Sequence, residues 1–400
     1  VPDIWDRRQY ADGAPHEVFA ELRRTSPVHW QEIPGQDGYW ALLAHADVDW
    51  ASRHPELLSS SEGGITVEDM NGAGLAGVRQ MLLGMDPPRH RQMRKPLVPE
   101  FSKKVVIGLE PMVREITRTV LAEVDEAAEV DVVALAAQLP TRIVGGMLGL
   151  PREDWDHLHH LAAASARSIS GEAEDANNDA IAELATYAFG HAAARRSLDD
   201  APGHELPGDL TTLMLHGSFG DRQLDDLEFA LLLVQLFIAA NDTTVGMLAS
   251  GVQELLAHPA QLADLRSDPG LLDGTVEEVL RYANPLHYFR RTAMTDLEVG
   301  GQEIQAGQKV AMYYTSANRD ESVFDDPQRF DIRRSPNPHI SFGIGEHYCL
   351  GVHLARLEGR VFFSELLETF PTIEPAGAPR RTASNFNNGL DALPVRVRRG

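Results

Sequence analysis

The chain of 400 residues is 43% hydrophobic with 33 glycines and 24 prolines, which excludes disordered, collagen-like and repeat-driven chains and fits a large globule. Its 36 Lys and Arg against 59 Asp and Glu give a formal net charge of −23, which argues against a surface built to hold nucleic acid and for a soluble acidic protein. A single cysteine excludes an internal disulfide.

The chain opens Val1-Pro2-Asp3 without a basic-then-apolar leader, so no targeting segment is expected and a cytoplasmic location is. Up to about residue 60, Trp, Tyr and Pro alternate with short apolar stretches, and Tyr39-Trp40-Ala41-Leu42-Leu43 reads as a strand after the Pro34-Gly35 and Asp37-Gly38 turns. Gly and Ser then thicken over residues 59–84, among Ile65, Met70, Leu75, Met81 and Leu82. An apolar-studded loop of this kind often covers a pocket.

From Phe101 to about Leu265 the pattern is helical, with starts predicted at Pro151-Arg152-Glu153-Asp154 and at Asp221 ahead of Leu224, Leu227 and Leu231. Residues 203–208 break the run and read as a mobile corner. The longest apolar run, residues 229–240, is interrupted by Gln235 and closed by Asn241-Asp242, short of the roughly 20 residues a bilayer needs. It reads as a buried helix, and no membrane span is expected. Short strands return around 299–310 and 391–397. With no internal period and no long linker, the expectation is one domain over residues 1–400. Its fold class is mainly α (α+β), a large helical lobe with a smaller β-rich lobe.

Cys349 lies in Phe342-Gly343-Ile344-Gly345-Glu346-His347-Tyr348-Cys349-Leu350-Gly351, just ahead of a helical stretch. A lone cysteine is most often a buried core thiol. Here the glycines let the backbone pass close to a bulky planar partner, and the helix start favours a thiolate, so a ligand or a nucleophile are both open. A Cys-His nucleophile would rely on His347, two residues away in a turn, which fixes the geometry poorly. Zinc wants three or four ligands at a recognisable spacing, whereas haem needs one strong axial ligand.

This segment resembles the haem-binding loop of cytochrome P450, Phe-Gly-x-Gly-x-His-x-Cys-x-Gly, and four further motifs follow the family's order over nearly the whole chain. Glu278-Val279-Leu280-Arg281 resembles its Glu-x-x-Arg helix, with Arg329 of Pro327-Gln328-Arg329-Phe330 matching the third member of a Glu-Arg-Arg network. Ala239-Ala240-Asn241-Asp242-Thr243-Thr244 resembles the oxygen-activating segment, in which Asp242 and Thr243 would deliver protons, although the family usually has glycine where this chain has Ala240. His90 and Arg94, four residues apart on one helix face, match propionate contacts, as do Arg291 and His347. Ala317-Asn318-Arg319-Asp320 with Phe324-Asp325-Asp326-Pro327 resembles the approach to the cysteine loop.

The resemblance implies the family's fold around a buried haem b (iron protoporphyrin IX), with Cys349 as axial ligand to the iron and Phe342 and Gly343 against the cofactor. It also implies a monooxygenase that hydroxylates or epoxidises a lipophilic small molecule, a steroid, terpenoid or macrocycle, with electrons from a ferredoxin and its reductase. The soluble bacterial members are the most similar, and a monomer is expected. Ile65, Met81, Leu82, Leu236, Ala240, Leu286, His287 and Phe289 are the substrate-pocket candidates, with His287 as a possible polar anchor. The basic cluster Arg89, Arg91, Arg94, Lys95, Lys103 and Lys104 offers haem contacts and a surface for an acidic ferredoxin. Two alternatives stay open: a haem-thiolate isomerase, peroxygenase or dehydratase, and a non-catalytic haem or lipophile-binding module.

Overall fold

The computed structural model describes residues 3–70, 72–125, 127–169, 175–199 and 205–400. Its longest helix, Asp226–Ala257, begins where the chain supplies a capping box. The Asp225 carboxylate accepts from the Glu228 N–H at 2.8 Å, and Glu228 accepts from the Asp225 N–H at 3.1 Å. Two otherwise unpaired donors are satisfied, which contributes about 1 kcal/mol. The start lies beyond Asp221 because residues 219–222 close a tight turn, with the Phe219 N–H donating to the Arg222 carbonyl at 2.8 Å.

Asn241 and Asp242 do not end the helix, which runs 32 residues and, by length and hydropathy alone, could cross a membrane. Most of its apolar window is instead packed inside the protein, and Phe229, Leu233, Phe237, Leu248 and Ala249 are almost wholly buried. Each large side chain removed from water there contributes about 1.5–3 kcal/mol. Helices Val132–Met147, Trp155–Ile169, Asp175–Asp199 and Val352–Thr369 pack around it and complete the helical lobe.

A five-stranded sheet orders Val28–Ile33, Gln36–Leu42, Lys309–Tyr313, Tyr288–Ala293 and Leu58–Ser59. The second and third strands run parallel, with Tyr39 opposite Lys309, and the other pairs are antiparallel. A three-stranded sheet joins Ala127–Asp131, Pro394–Arg398 and Thr372–Pro375. The strand expected over 391–397 is split in two, Leu390–Ala392 and Pro394–Arg398.

The Gly-rich loop is tied to the larger sheet by two buried cations. Lys309 Nζ donates to the Asp37 and Val67 carbonyls at 3.0 Å and pairs with Asp69 at 2.8 Å. Arg290 reaches the Thr66 carbonyl at 3.3 Å and the Asp69 carboxylate at 3.5 Å. Gly63 sits at φ +91° against Arg290, where a Cβ would stand 2.0 Å from Nη2, so a side chain there would strain the backbone and displace the guanidinium. Gly203 and His204, within the break expected at 203–208, lie outside the described residues.

Candidate active site

The cysteine loop is shaped by its glycines. Gly343 and Gly345 take φ +68° and +71°, and a short 3-10 turn, Gly345–His347, precedes the helix Val352–Thr369. The Cys349 N–H donates to the Phe342 carbonyl at 2.9 Å, closing the loop on itself. Burial pushes the Cys349 thiol up, while the Gly351 N–H, Arg94 and Arg356 draw it back. A thiolate at this position therefore needs a further positive partner. A Cβ on Gly343 would stand in ordinary contact with the His347 carbonyl and the Tyr314 hydroxyl at 3.8 Å, so it is the positive φ rather than crowding that asks for glycine here.

The loop is pinned from outside. Arg356 stacks over the Phe342 ring at 4.8 Å and grips the two Glu277 oxygens at 2.6 and 2.7 Å, while His339 Nε2 meets Glu277 at 3.0 Å. Burial would raise the Glu277 carboxyl, but Arg356 and His339 outweigh it and hold the group at about 2.

His90, Arg94, Arg291 and His347 converge beside the loop, although 257 positions separate the first from the last. The two imidazoles lie 4.2 Å apart, and His347 feels the charges of Arg291, His90 and Arg94. Burial above all, and these cations with it, push His347 down to about 2, leaving it neutral. Its Nε2 contacts the Ser60 hydroxyl at 3.2 Å. Arg94 donates to the Tyr348 carbonyl, and buried Arg291 donates to the Arg290 carbonyl at 2.7 Å. His90 is 1% exposed, and its Nε2 has no protein partner. A buried ring nitrogen without a protein partner, beside buried Arg291 and half-buried Arg94, fits an anionic ligand.

The Glu-x-x-Arg pair forms as expected: Arg281 donates to both Glu278 oxygens at 2.8 Å, and both side chains are fully buried. The third member is Arg334, not Arg329. Arg334 Nε stands 3.2 Å from Glu278, while the Arg329 side chain is 64% exposed and faces Asp331 at 3.6 Å. Arg329 contributes its carbonyl, which accepts from Arg281 and Arg334. The chain turns at Asp331, whose N–H donates to Glu278 at 2.8 Å, and this turn points the earlier arginine outward and the later one inward.

On the central helix, Leu236, Ala239, Ala240 and Thr243 keep accessible surface, as do Ile238 and Asp242 between them. The i, i+3, i+4, i+7 spacing of the first four makes them one stripe. Thr243 Oγ1 donates to the Ala239 carbonyl at 2.8 Å, and the helix continues unbroken past it. Asp242 lies beside Asn241, whose amide approaches it at 3.4 Å. The Leu82 N–H donates to Gln235 at 2.6 Å, fixing Leu82 and Met81 against this helix. Ile65, Leu286 and Phe289 group separately, with Phe386, in the apolar cluster of the sheet lobe.

His287 is committed to the protein. Its Nδ1 meets the Thr315 hydroxyl at 3.0 Å, its ring lies 4.7 Å from Tyr10, and burial pushes it down to about 3. It is 1% exposed, so the expected polar anchor for substrate is a neutral ring held inside the fold.

Several residues escaped the sequence reading. Glu358 is buried among Leu354, Leu357, Val361 and Phe362, and burial pushes it up to about 8 despite its bond to Thr244. Its place on an apolar helix face was the available signal. Ser60 and Phe386 reach the site only through tertiary pairing, and Leu286 bridges to Asn387 across a hundred residues.

A thiol that needs a cationic partner and cations that need an anionic one are both answered by haem, whose iron is positive and whose propionates are negative. The fold and the site thus define a haem protein. The cytochrome P450 family model matches residues 187–393. The steroid C26-monooxygenase of Mycolicibacterium smegmatis is 32% identical over 97% of this chain and 92% of its own length. The linalool 8-monooxygenase of Pseudomonas putida is 33% identical over 98% of each. A Mycobacterium marinum cytochrome P450 solved with pseudoionone superposes with a TM-score of 0.87 at 34% identity, covering 97% of this chain and 96% of that one. The chain belongs to the cytochrome P450 family, and the protein is a cytochrome P450 oxidoreductase.

Proposed function

We propose that the protein is a haem b monooxygenase that hydroxylates a terpenoid or steroid, with electrons delivered by a ferredoxin system. The observation that carries the reading is that Phe342 and Leu350 of the Cys349 loop pack on the same apolar core as Leu236 and Ala240 of the accessible stripe. When bound, haem supplies the oxygen-activating redox chemistry, which side chains alone lack.

The chain's own residues do the rest. Cys349 would hold the iron, and His90, Arg94 and Arg291 the propionates; His347 adds a ring at the same place but is already engaged with Ser60. Thr243, its hydroxyl fixed on the Ala239 carbonyl, presents an oxygen on the stripe and with Asp242 would move protons toward the reacting oxygen. Leu236, Ala240, Met81 and Leu82 on one side, and Ile65, Leu286 and Phe289 on the other, give a lipophilic substrate apolar walls. Retention of Asp242 and Thr243 favours oxygen insertion over isomerisation. Relatives named for steroid and linalool oxidation support the substrate class.

The surface Lys103, Lys104, Val105 and Ile107 is exposed on the helix Lys103–Gly108, which packs against the helix following Cys349. Charge around an apolar centre suits an acidic ferredoxin. We place the reaction in the cytoplasm, in one catalytic unit acting as a monomer. The test is turnover with labelled dioxygen, a surrogate ferredoxin and its reductase on a terpenoid and steroid panel. One labelled oxygen atom in the product is expected. Substrate binding with rearranged or unlabelled product would instead support the isomerase reading.

A further inference from the structure

We propose that Glu346 is a positioning residue for His90, fixing its ring so that it meets a haem carboxylate as a cation; this rests on the haem-binding reading above. Glu346 stands in the turn Gly345–His347 and is mostly buried. Its Oε1 lies 3.3 Å from His90 Nδ1 and 2.8 Å from Arg91 Nε, bridging the cysteine loop to the helix Arg89–Arg94.

The donor and acceptor inventory decides the consequence. A carboxylate only accepts, so the Nδ1 that faces Glu346 carries hydrogen. In a neutral ring the other nitrogen, Nε2, is then a bare lone pair. That nitrogen is the buried atom without a protein partner, beside Arg94 and Arg291. An anion drawn in by the two guanidiniums would meet a lone pair and be repelled. Only the imidazolium donates from both nitrogens, to Glu346 on one side and to the incoming carboxylate on the other.

The charged and titratable groups facing His90 are Glu346 and His347 from the loop, Arg94 from its own helix and Arg291 from the strand Tyr288–Ala293. Burial, with Arg94 and Arg291, keeps the ring neutral in the protein alone, and Glu346 offsets only part of this. Binding of a second carboxylate tips the balance, so one proton from solvent is taken up at His90 as haem enters. The contribution to haem retention is present while the ring is charged. It is lost as pH rises through the haem-bound titration of His90.

The test is the rate at which the holoprotein loses haem to an excess of haem-free globin, from about pH 6 to about pH 9. In Glu346→Gln the amide oxygen held by the Arg91 Nε–H still accepts from Nδ1–H but carries no charge to support an imidazolium, so Nε2 loses its hydrogen at lower pH than in the wild type. The ratio of wild-type to E346Q loss rates, which removes titrations common to both, is expected to rise at least about fivefold across this range. In a His90→Gln background the same substitution should leave the ratio flat, and Arg91→Gln should keep the wild-type profile. Parallel wild-type and E346Q profiles, or an unchanged effect without His90, would overturn the proposal. A wild-type chain that takes up no haem would instead overturn the haem-binding reading itself.

Discussion

At the residue scale, the Glu278 cluster makes the sharpest stability prediction. Arg334 donates to the buried Glu278 carboxylate, which Arg281, Asn337 and the Asp331 N–H also hold, and to the Asp325, Asp326 and Arg329 carbonyls, so its removal leaves several polar groups without a partner. Arg334→Ala should therefore cost about 3 kcal/mol or more, whereas Arg329→Ala should stay within about 0.5 kcal/mol, both read by denaturant unfolding. The reverse order would restore Arg329 to the network. Thr243→Ala removes the hydroxyl from the accessible stripe, and product formed per electron should fall about tenfold with peroxide rising in step. Unchanged coupling would exclude Thr243 from proton delivery.

At the scale of elements, the cysteine loop is held by a helix on each side, and its outer clamp is acid-sensitive. The Glu277 carboxyl is held below its ordinary 4.5, at about 2, so its contribution is present above 4.5 and lost as pH falls toward 2. That contribution is on the order of 2 kcal/mol. Glu277→Gln should remove most of the stability difference between about pH 5 and about pH 3 that the wild type shows in chemical unfolding. An equally steep acid loss in the variant would place the sensitivity elsewhere. The elements themselves were legible to different degrees. The cysteine loop, the Glu-x-x-Arg helix and the His90 helix are local patterns, and each forms where its residues stand. The choice of Arg334 over Arg329 turns on the backbone path at Asp331, and Ser60, Phe386 and the parallel pairing of Gln36–Leu42 with Lys309–Tyr313 join positions far apart in the chain. No window of sequence contains those partners.

At the scale of the whole molecule, a strongly acidic chain gathers basic residues on the side of its one cysteine. Lys103 lies near enough to act on His353, four residues past Cys349. Reversing charge with Lys103→Glu and Lys104→Glu should raise the ferredoxin KM about tenfold at low salt and flatten its salt dependence, with little change in substrate affinity. An unaltered KM would move the docking surface elsewhere. The central helix carries the other lesson at this scale: its 32 residues have the length and hydropathy of a membrane span, yet helices on its flanks cover most of it. The central claim is that Cys349 holds haem iron as a thiolate, and the carbon monoxide difference spectrum of the dithionite-reduced protein tests it most directly. The account predicts the strongly red-shifted band of thiolate-ligated haem in the wild type and its loss in Cys349→Ser. A folded, haem-loaded wild type without that band would contradict it.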